Sequence, residues 1–304
     1  MIAAVVFAQE PATTQPFPAS EKLQKIVDAA VAKSLEQFRE KNLKDSELAI
    51  TLIDLRDSAH SASGNFRGEA GVYPASVVKL FYLVAAHQRL ADGKLADSPE
   101  LERGLHDMIV DSLNEATQFI VDAVTGTANG APLTAEQMTK WAEARNLVNR
   151  YFALLGYRGI NVNQKTFCEG PYGRERVFLG EKFENRNKLT TDATARLLAE
   201  IVLGRAVNAE RSKKMMELLH RDRSGKARGN DDQAHGFTAL ALGDGDELWS
   251  KAGWTSTARH DAAYVVTPDG LKFVLVVFTT NHANERQIIP TVAREVMRGL
   301  REER

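Results

Sequence analysis

A serine and a lysine stand three positions apart, at Ser76 and Lys79, at the start of a strongly apolar segment. On a helix this spacing places the two side chains on one face, one turn apart. Residues 76–90 are mostly Val, Leu, Phe and Ala, so we expect the helix in the interior. Because burial lowers the pKa of a lysine, a neutral amine can take the proton of the neighbouring hydroxyl. The pair therefore predicts an activated serine nucleophile.

The alternative interpretation of an isolated Ser-x-x-Lys is a surface turn with a solvated lysine. The apolar surroundings of Lys79 argue against it, and Pro74 suits the first turn of a helix. The free N–H groups and the positive dipole end of a helix N-terminus also favour a developing oxyanion. We therefore expect Ser76 to attack a carbonyl carbon at this helix start.

The composition is that of an ordinary globular protein. With 304 residues, 43% of them hydrophobic, the chain can bury a core as one large domain or two close ones. The net charge is −1, from 39 basic and 40 acidic residues, so no basic field favours nucleic acid or an anionic membrane surface. The single Cys168 excludes an intramolecular disulfide and multi-cysteine metal sites, and we expect a structural thiol. A small-molecule or peptide substrate fits best, and no metal or other cofactor is expected.

The N-terminal residues resemble the end of a secretory signal peptide. A short apolar run leads to small residues around Ala8, where a peptidase would cut, but a basic n-region is missing. Residues 9–19 contain three prolines and are typical of a linker. We therefore predict an exported protein, periplasmic or secreted, with a signal-peptide remnant and linker over residues 1–19. A frayed terminus of a cytosolic protein is the alternative, and no stretch is long enough to span a bilayer.

Hydrophobic periodicity predicts strands near both ends of the chain and helices between them. The pattern indicates an α/β fold of the α+β type, in which an antiparallel sheet is flanked by N- and C-terminal helices and an all-helical region is inserted. Strands are expected at residues 48–55, 58–66, 247–255, 260–267 and 271–279, and helices at 21–41, 76–90, 99–111, 114–124, 134–155, 190–203, 209–220 and 284–301.

We expect residues 20–70 and 243–304 to form the sheet domain and residues 71–242 the helical domain, with the active site between them. Thr134 with Gln137 has the pattern of a capping box. The following stretch of low periodicity, from residue 157 to 189, is long enough to suggest a functional loop.

Two further short motifs follow the first one along the chain. Ser112-Leu-Asn114 lies in a predicted break between helices, and Lys251-Ala-Gly253 lies on a predicted strand. With the Ser76 motif, their order resembles the serine β-lactamase and penicillin-binding protein superfamily, whose motifs are Ser-x-x-Lys, Ser-x-Asn and Lys-Thr/Ser-Gly. The resemblance extends over most of the chain, and the first motif is most similar to the class A branch. The first two motifs are closer together than is typical of class A, so we expect a trimmed active-site rim.

This resemblance implies a role for each motif residue. Ser76 would be the nucleophile and Lys79 its base, directly or through water, while the backbone N–H groups of Ser76 and Trp254 would hold the oxyanion. Ser112 would pass a proton to the leaving nitrogen, and Asn114 would position Lys79 or the substrate. Taken singly, Ser112 could equally be a cap at the helix break, Asn114 a turn residue, and Lys251 and Arg259 surface charges on strands.

The resemblance also implies a binding site for a substrate carboxylate. Lys251 would supply the positive charge, with Arg259 as a second candidate. Ala252 replaces the family's usual hydroxyl residue, so one hydrogen bond to that carboxylate, worth about 1 to 3 kcal/mol, is expected to be absent unless Thr255 or Ser256 compensates. The predicted substrate-binding residues are Lys251, Gly253, Trp254, Thr255 and Arg259.

The resemblance is weakest for the residues that would hydrolyse the acyl-enzyme. Class A enzymes activate water with a glutamate in a Glu-x-x-Leu-Asn pattern after the long helix, and this pattern is absent here. Alignment places Thr166 near the glutamate position and leaves Glu169 as the nearest carboxylate. We therefore name Glu169 as the candidate deacylating base, with a solvated loop charge as the alternative.

The sequence predicts a serine hydrolase acting on β-lactam amides through an acyl-serine intermediate. One alternative is a D-alanyl-D-alanine peptidase or amidase acting on peptidoglycan peptide. The other is a β-lactam-binding sensor module that is acylated without turnover. In each case we expect a monomer that binds a small β-lactam or a cell-wall peptide and no nucleic acid.

Overall fold

One antiparallel five-stranded sheet is the framework of the protein. The structure is a computed structural model that describes residues 17–229 and 231–303, so most of the predicted signal-peptide remnant and linker lies outside the described residues. The strand order is β2-β1-β5-β4-β3, which makes β3 an edge strand. The strands are β1 (Leu48–Asp54), β2 (Ala62–Phe66), β3 (Glu247–Trp254), β4 (Ala258–Val266) and β5 (Lys272–Thr280).

Helices cover both faces of this sheet. On one face lie α1 (Glu21–Gln37) and α10 (Ile288–Glu302), the first and last helices described. The other face packs against the helical segment. That segment contains α2 (Lys79–Ala91), α3 (Pro99–Ile109), α4 (Asn114–Thr125), α5 (Ala135–Arg145), α6 (Leu147–Leu154), α7 (Gly173–Leu179), α8 (Thr191–Val202) and α9 (Ala209–Leu219). The predicted α+β architecture is therefore confirmed.

The two apolar layers explain the uninterrupted hydrophobic run of β5. Alternate residues of a strand point to opposite faces, so a strand covered on both sides is apolar at every position. In β5, Leu275 and Val277 join the layer under α1 and α10, whereas Val274 and Val276 join the layer under the helical segment. The site described below lies where the edge strand β3 meets that second layer.

Several helix predictions differ from the structure. The helix predicted over residues 21–41 ends at Gln37, and the one predicted from residue 76 begins as a 3₁₀ turn and is α-helical from Lys79. The helix predicted over residues 134–155 is two helices, because Asn146 leaves helical geometry and its side-chain amide donates to the carbonyl of Ala142 (2.9 Å). The capping box at its start is confirmed, with Thr134 and Gln137 bonded reciprocally. Helix α7 lies inside the segment expected to be irregular, and α10 begins at Ile288, later than predicted. In the described part of the chain, no helix has the length and apolarity needed to cross a membrane.

Candidate active site

Ser76 lies in a 3₁₀ turn, Ala75–Val78, that runs directly into α2. Ala75 is buried and has φ of 48°, a left-handed conformation that is uncommon for a residue with a side chain. Strained backbone of this kind is frequent at functional sites. The turn packs against Gly253, where a Cβ atom would lie 2.7 Å from the backbone nitrogen of Ser76 and 2.8 Å from the carbonyl oxygen of Pro74. Glycine at 253 therefore allows the nucleophile's turn to contact β3.

A buried histidine on β4 supports the chain that leads to Ser76. The backbone N–H of Thr279 donates to Nδ1 of His260 (3.1 Å), so Nε2 carries the proton and donates to the carbonyl of Tyr73 (3.0 Å). Burial lowers the pKa of His260 to about 4, which keeps the ring neutral. This neutral histidine fixes the entry to the nucleophile's turn, and no sequence signal identified it.

Lys79 is fully buried at the start of α2. Its Nζ donates to the carbonyl of Ser112 (2.6 Å), to Oδ1 of Asn114 (3.0 Å) and to Oγ of Ser112 (3.3 Å). Burial lowers the pKa of Lys79 from 10.5 to about 7, although the negative charge of nearby Glu115 favours the protonated form. A large fraction of this amine is therefore neutral at neutral pH, as a general base requires.

The hydroxyl of Ser112 lies between two buried lysines. Ser112 occupies the break between α3 and α4 with φ of 59°. Its Oγ accepts hydrogen bonds from Lys79 Nζ (3.3 Å) and from Lys251 Nζ (3.0 Å). Because both lone pairs of the oxygen are occupied, the hydroxyl proton is directed to a third group. Ser112 is thus suited to donate a proton and to be reprotonated by either amine.

Lys251 is buried on β3, and its Nζ lies within hydrogen-bond distance of three oxygens. Nζ donates to Ser112 Oγ (3.0 Å), to Gln233 Oε1 (2.9 Å) and to the carbonyl of Ala252 (2.7 Å). Burial, followed by the charges of Lys79 and Arg221, holds the pKa of Lys251 well below 10.5. An anionic substrate arriving beside this group would favour its charged form.

The open edge of β3 presents backbone groups to the site. The N–H of Thr255 donates to the carbonyl of Ala258 (2.9 Å) across the β3–β4 turn. Because alternate residues of a strand direct their N–H to opposite sides, Ala252 and Trp254 direct theirs to the free edge. The N–H of Ala252 donates to Oε1 of Gln233 (2.9 Å). The N–H of Trp254 is next along this edge, on the side from which the predicted oxyanion contact would be made.

Gln233 is a site residue that the sequence interpretation missed. Its buried side chain accepts from Lys251 and from the backbone of Ala252, and its Nε2 donates to the carbonyls of Ile109 (3.3 Å) and Val110 (3.1 Å) at the end of α3. It thereby joins β3 to the helix that precedes Ser112. A single glutamine in a polar loop has no sequence signal that would identify this role.

Three predicted substrate-binding residues have side chains outside the hydrogen-bonded group around Lys79. Arg259 points to the sheet face opposite Lys251, where it pairs with Asp231 (2.7 Å) and stacks on the ring of Phe237 (3.9 Å). The hydroxyl of Thr255 accepts from backbone N–H groups within its own turn. The side chain of Trp254 is partly exposed beside Phe237. Substrate contacts of these residues stay predictions.

The irregular segment after α6 lies against the start of α4. Asn114 Nδ2 donates to the carbonyl of Phe167 (3.1 Å), while its Oδ1 accepts from Lys79. Next to it, the thiol of Cys168 donates to Glu115 Oε1 (3.0 Å). The predicted structural thiol is therefore an exposed group close to the motif residues.

The two loop residues considered for deacylation differ in their surroundings. Thr166 is buried, and its hydroxyl has no hydrogen-bond partner within residues 17–229 and 231–303. Glu169 is exposed. The residue that Asn114 contacts in this loop, Phe167, contributes a carbonyl and carries no carboxylate.

A small group near α3 could in principle bind a cation. A ring nitrogen of His106 and carboxylate oxygens of Asp107 and Asp111 lie within 4.8 Å of one another. Arg228 pairs with Asp111 (3.4 Å), which offsets part of the negative charge. Exposed groups of this kind are common without an ion, so we assign it no function.

Comparisons with known proteins agree with the fold and the motifs. The sequence model of the β-lactamase enzyme family matches residues 98–300, more than half of the chain, including the second and third motifs. No curated protein matches the chain significantly.

Solved structures show a likeness of fold over most of the chain. The β-lactamase of Sphaerobacter thermophilus is 19% identical, has a TM-score of 0.63, and the match covers 89% of this chain and 96% of that chain. A penicillin-G acyl-enzyme complex of a PBP-A mutant is 18% identical, with a TM-score of 0.64 and coverage of 95% and 100%. A variant of the TLA-1 extended-spectrum β-lactamase is 15% identical, with a TM-score of 0.66 and coverage of 90% and 99%. At these identities the structures show a shared fold.

Proposed function

Because the chain belongs to the β-lactamase enzyme family, we propose that it is a serine hydrolase that opens β-lactam amides through an acyl-serine intermediate at Ser76. The supporting observation is the convergence of Lys79 and Lys251 on the hydroxyl of Ser112, beside the turn that holds Ser76. A base of lowered pKa, Lys79, is hydrogen-bonded to a proton donor, Ser112, and follows the proposed nucleophile by three residues.

Acylation follows from these groups. Neutral Lys79 takes the proton of Ser76, whose oxygen attacks the amide carbonyl, and the oxyanion forms toward the backbone N–H groups of Ser76 and Trp254. As the C–N bond breaks, Ser112 donates its proton to the leaving nitrogen. The ammonium of Lys79, which holds the proton from Ser76, then reprotonates Ser112 through their hydrogen bond (3.3 Å). The acyl-enzyme therefore forms with Lys79 neutral again.

The expected substrate is a β-lactam with a carboxylate. Lys251 supplies positive charge at the end of the site, and a substrate carboxylate would offset the two buried amines. The PBP-A structure, which shares this fold, was captured as an acyl-enzyme with penicillin-G. The suspected signal peptide supports export to the cell envelope, where such compounds and cell-wall peptides are found.

Labelling with a fluorescent penicillin tests the nucleophile. The Ser76→Ala variant should lose covalent labelling while its melting temperature stays near that of the wild type, because the side chain is small and only partly buried. Ser58→Ala, in an exposed loop, is the matched control and should label normally. Undiminished labelling of Ser76→Ala would remove Ser76 as the nucleophile.

A second candidate function is acylation with little turnover, as in a penicillin-binding peptidase or sensor. The contact of Asn114 with the carbonyl of Phe167 favours it, because this part of the loop brings no carboxylate of its own to Lys79. Substrate competition separates the two functions. Rapid cleavage of a D-alanyl-D-alanine peptide with slow loss of penicillin would identify the peptidase.

A further inference from the structure

We propose that Glu115, at the start of α4, is the general base that activates water for deacylation, and that the thiol of Cys168 orients it. This inference rests on the proposed acyl-serine at Ser76. It assigns the water-activating carboxylate to the helix of the second motif, whereas the sequence comparison placed it in the loop at Glu169.

The position of Glu115 follows from its neighbours on both sides. It directly follows Asn114, whose side chain binds Lys79 Nζ at 3.0 Å and the carbonyl of Phe167 at 3.1 Å. The carboxylate of Glu115 itself accepts from the thiol of Cys168 at 3.0 Å, one residue beyond Phe167. Two adjacent bonds thus hold the start of α4 to the loop, and the second of them fixes the carboxylate of the residue that follows Asn114.

The charges of these groups are consistent with a base. The thiol bond of Cys168, followed by backbone hydrogen bonding, holds the pKa of Glu115 below 4.5, and Lys79 lowers it further. The same bond to Glu115 raises the pKa of Cys168, so the thiol keeps the proton that it donates. Glu115 is therefore an ionised acceptor near Lys79, and its exposure gives water direct access.

The deacylation step balances with these groups. The Glu115 carboxylate removes a proton from water as the water oxygen bonds to the acyl carbonyl carbon. The tetrahedral intermediate then collapses, the ester C–O bond breaks, and its electron pair returns to Ser76 Oγ. That oxygen takes up one proton, which Lys79 relays from Glu115. The products are the free acid and an enzyme in its starting protonation state.

Other carboxylates of the region fit this role less well. In the part of the chain that the structure describes, no hydrogen bond or ion pair holds the carboxylate of Glu169, whereas the thiol of Cys168 holds that of Glu115. Asp122 and Glu175 pair with Arg145, and Lys165 lies close to both of them. The charge of Glu115 also favours the protonated form of Lys79.

Acyl-enzyme lifetime measures the proposed step separately from acylation. Intact-protein mass spectrometry after a short pulse of benzylpenicillin gives the decay of the adduct in wild type, Glu115→Gln, Glu169→Gln and the exposed α5 control Glu143→Gln. Glu115→Gln should lengthen the lifetime by about 10²-fold or more, the usual effect of losing a general base. Its acylation rate should stay within about threefold of wild type, because Ser76, Lys79 and Ser112 are intact.

Variants of Cys168 test the orienting bond. Cys168→Ala should lengthen the lifetime by about tenfold, and Cys168→Ser, which keeps an O–H donor, should restore most of the wild-type rate. Equal lifetimes of both variants and the wild type would overturn the role of the thiol.

Three outcomes would overturn the role of Glu115. They are a Glu115→Gln adduct that decays at the wild-type rate, a lifetime that is lengthened in Glu169→Gln alone, and a wild-type adduct that does not decay. In each of these cases the adduct itself still supports the proposed acylation of Ser76. If no variant forms an adduct, the proposed function fails together with this inference.

Discussion

At the scale of single residues, the site depends on two buried lysines that share one hydroxyl. Burial of each lysine favours its neutral amine, and the charge of Lys79 lowers the pKa of Lys251 further. Two neighbouring charged ammonium groups would repel each other in this position. In the resting site Lys79 therefore loses its proton readily. The neutral amine can then take the proton of Ser76, as nucleophilic attack requires.

The pH dependence of acylation should follow the protonation of Lys79. Neutral Lys79 is the reactive form, and its pKa is about 7. The acylation rate should therefore rise about tenfold per pH unit below 7 and level off above it. The charges of Glu115 and Lys251 are coupled to that of Lys79, so the profile describes the group rather than an isolated lysine. Stopped-flow or quenched labelling between pH 5 and 9 measures this profile. An acylation rate that does not change between pH 6 and 8 would contradict Lys79 as the base.

The motif residues could be identified from the sequence because their chemistry depends on local spacing. Ser76 with Lys79 and Ser112 with Asn114 are separated by a few positions, and the structure brings Lys79, Ser112, Asn114 and Lys251 together. Gln233 and His260 were missed because their roles depend on contacts with distant parts of the chain. The pairing of Glu115 with Cys168 was missed for the same reason.

At the scale of elements, the contact between the nucleophile's turn and β3 determines the geometry of the site. An ideal Cβ on Gly253 would lie 2.7 to 2.9 Å from backbone atoms of Ser76, Pro74 and Val77. Backbone atoms cannot rotate away as a flexible side chain can. Any side chain at 253 must therefore separate the turn from the strand.

The Gly253→Ala variant tests this contact. We expect a loss of about 1 to 3 kcal/mol in the free energy of unfolding from the forced backbone shift, with a marked fall in penicillin labelling. Urea denaturation and labelling rates provide the two readouts. Gly225→Ala is the control, since a Cβ there meets nothing within 4 Å. Wild-type stability and labelling in Gly253→Ala would show that the close packing is not required.

A buried ion network supports the loop that faces α4. The guanidinium of Arg145 on α5 binds Glu175 on α7 through two bonds of 2.7 Å, and both side chains are buried. Lys165 in the loop lies 3.4 Å from the same carboxylate. These charges join two helices to the loop that contains Phe167 and Cys168.

Removing the arginine should be costly. Arg145→Met leaves the carboxylate of Glu175 buried with only the more distant Lys165, so we expect a loss of about 3 to 5 kcal/mol in unfolding free energy. Lys140→Met breaks an exposed pair with Glu136 (2.8 Å) and should cost no more than about 1 kcal/mol. Equal effects in urea titrations of the two variants would contradict a supporting role for the network.

Most helices could be predicted from their hydrophobic period, and strands such as β5 from short runs of apolar residues. The elements that were misjudged have a different origin. Asn146 breaks the predicted long helix through its own side-chain bonds, with Oδ1 accepting from Asn149 and from the distant Asn163. Helix α7 is short, and its Glu175 is buried only because Arg145 pairs with it. Contacts with residues distant in sequence determine both features, and hydrophobic periodicity does not reveal such contacts.

At the scale of the whole molecule, one sheet with two apolar layers brings together motifs that are far apart in sequence. The first two motifs belong to the helical segment, whereas Lys251 lies on the edge strand of the sheet. Their meeting point is the junction of that edge with the layer under the helices. The order of the motifs and the fold class were predictable together, because this fold requires them to meet.

The most direct test of the account is intact-protein mass spectrometry over time after mixing with excess benzylpenicillin, repeated with a chromogenic cephalosporin. We predict a single adduct with the mass of the intact drug, located on Ser76 by peptide mapping, that forms in the wild type and clears as the drug is consumed. A protein that forms no adduct with either compound, while remaining folded, would contradict acyl-serine chemistry at this site.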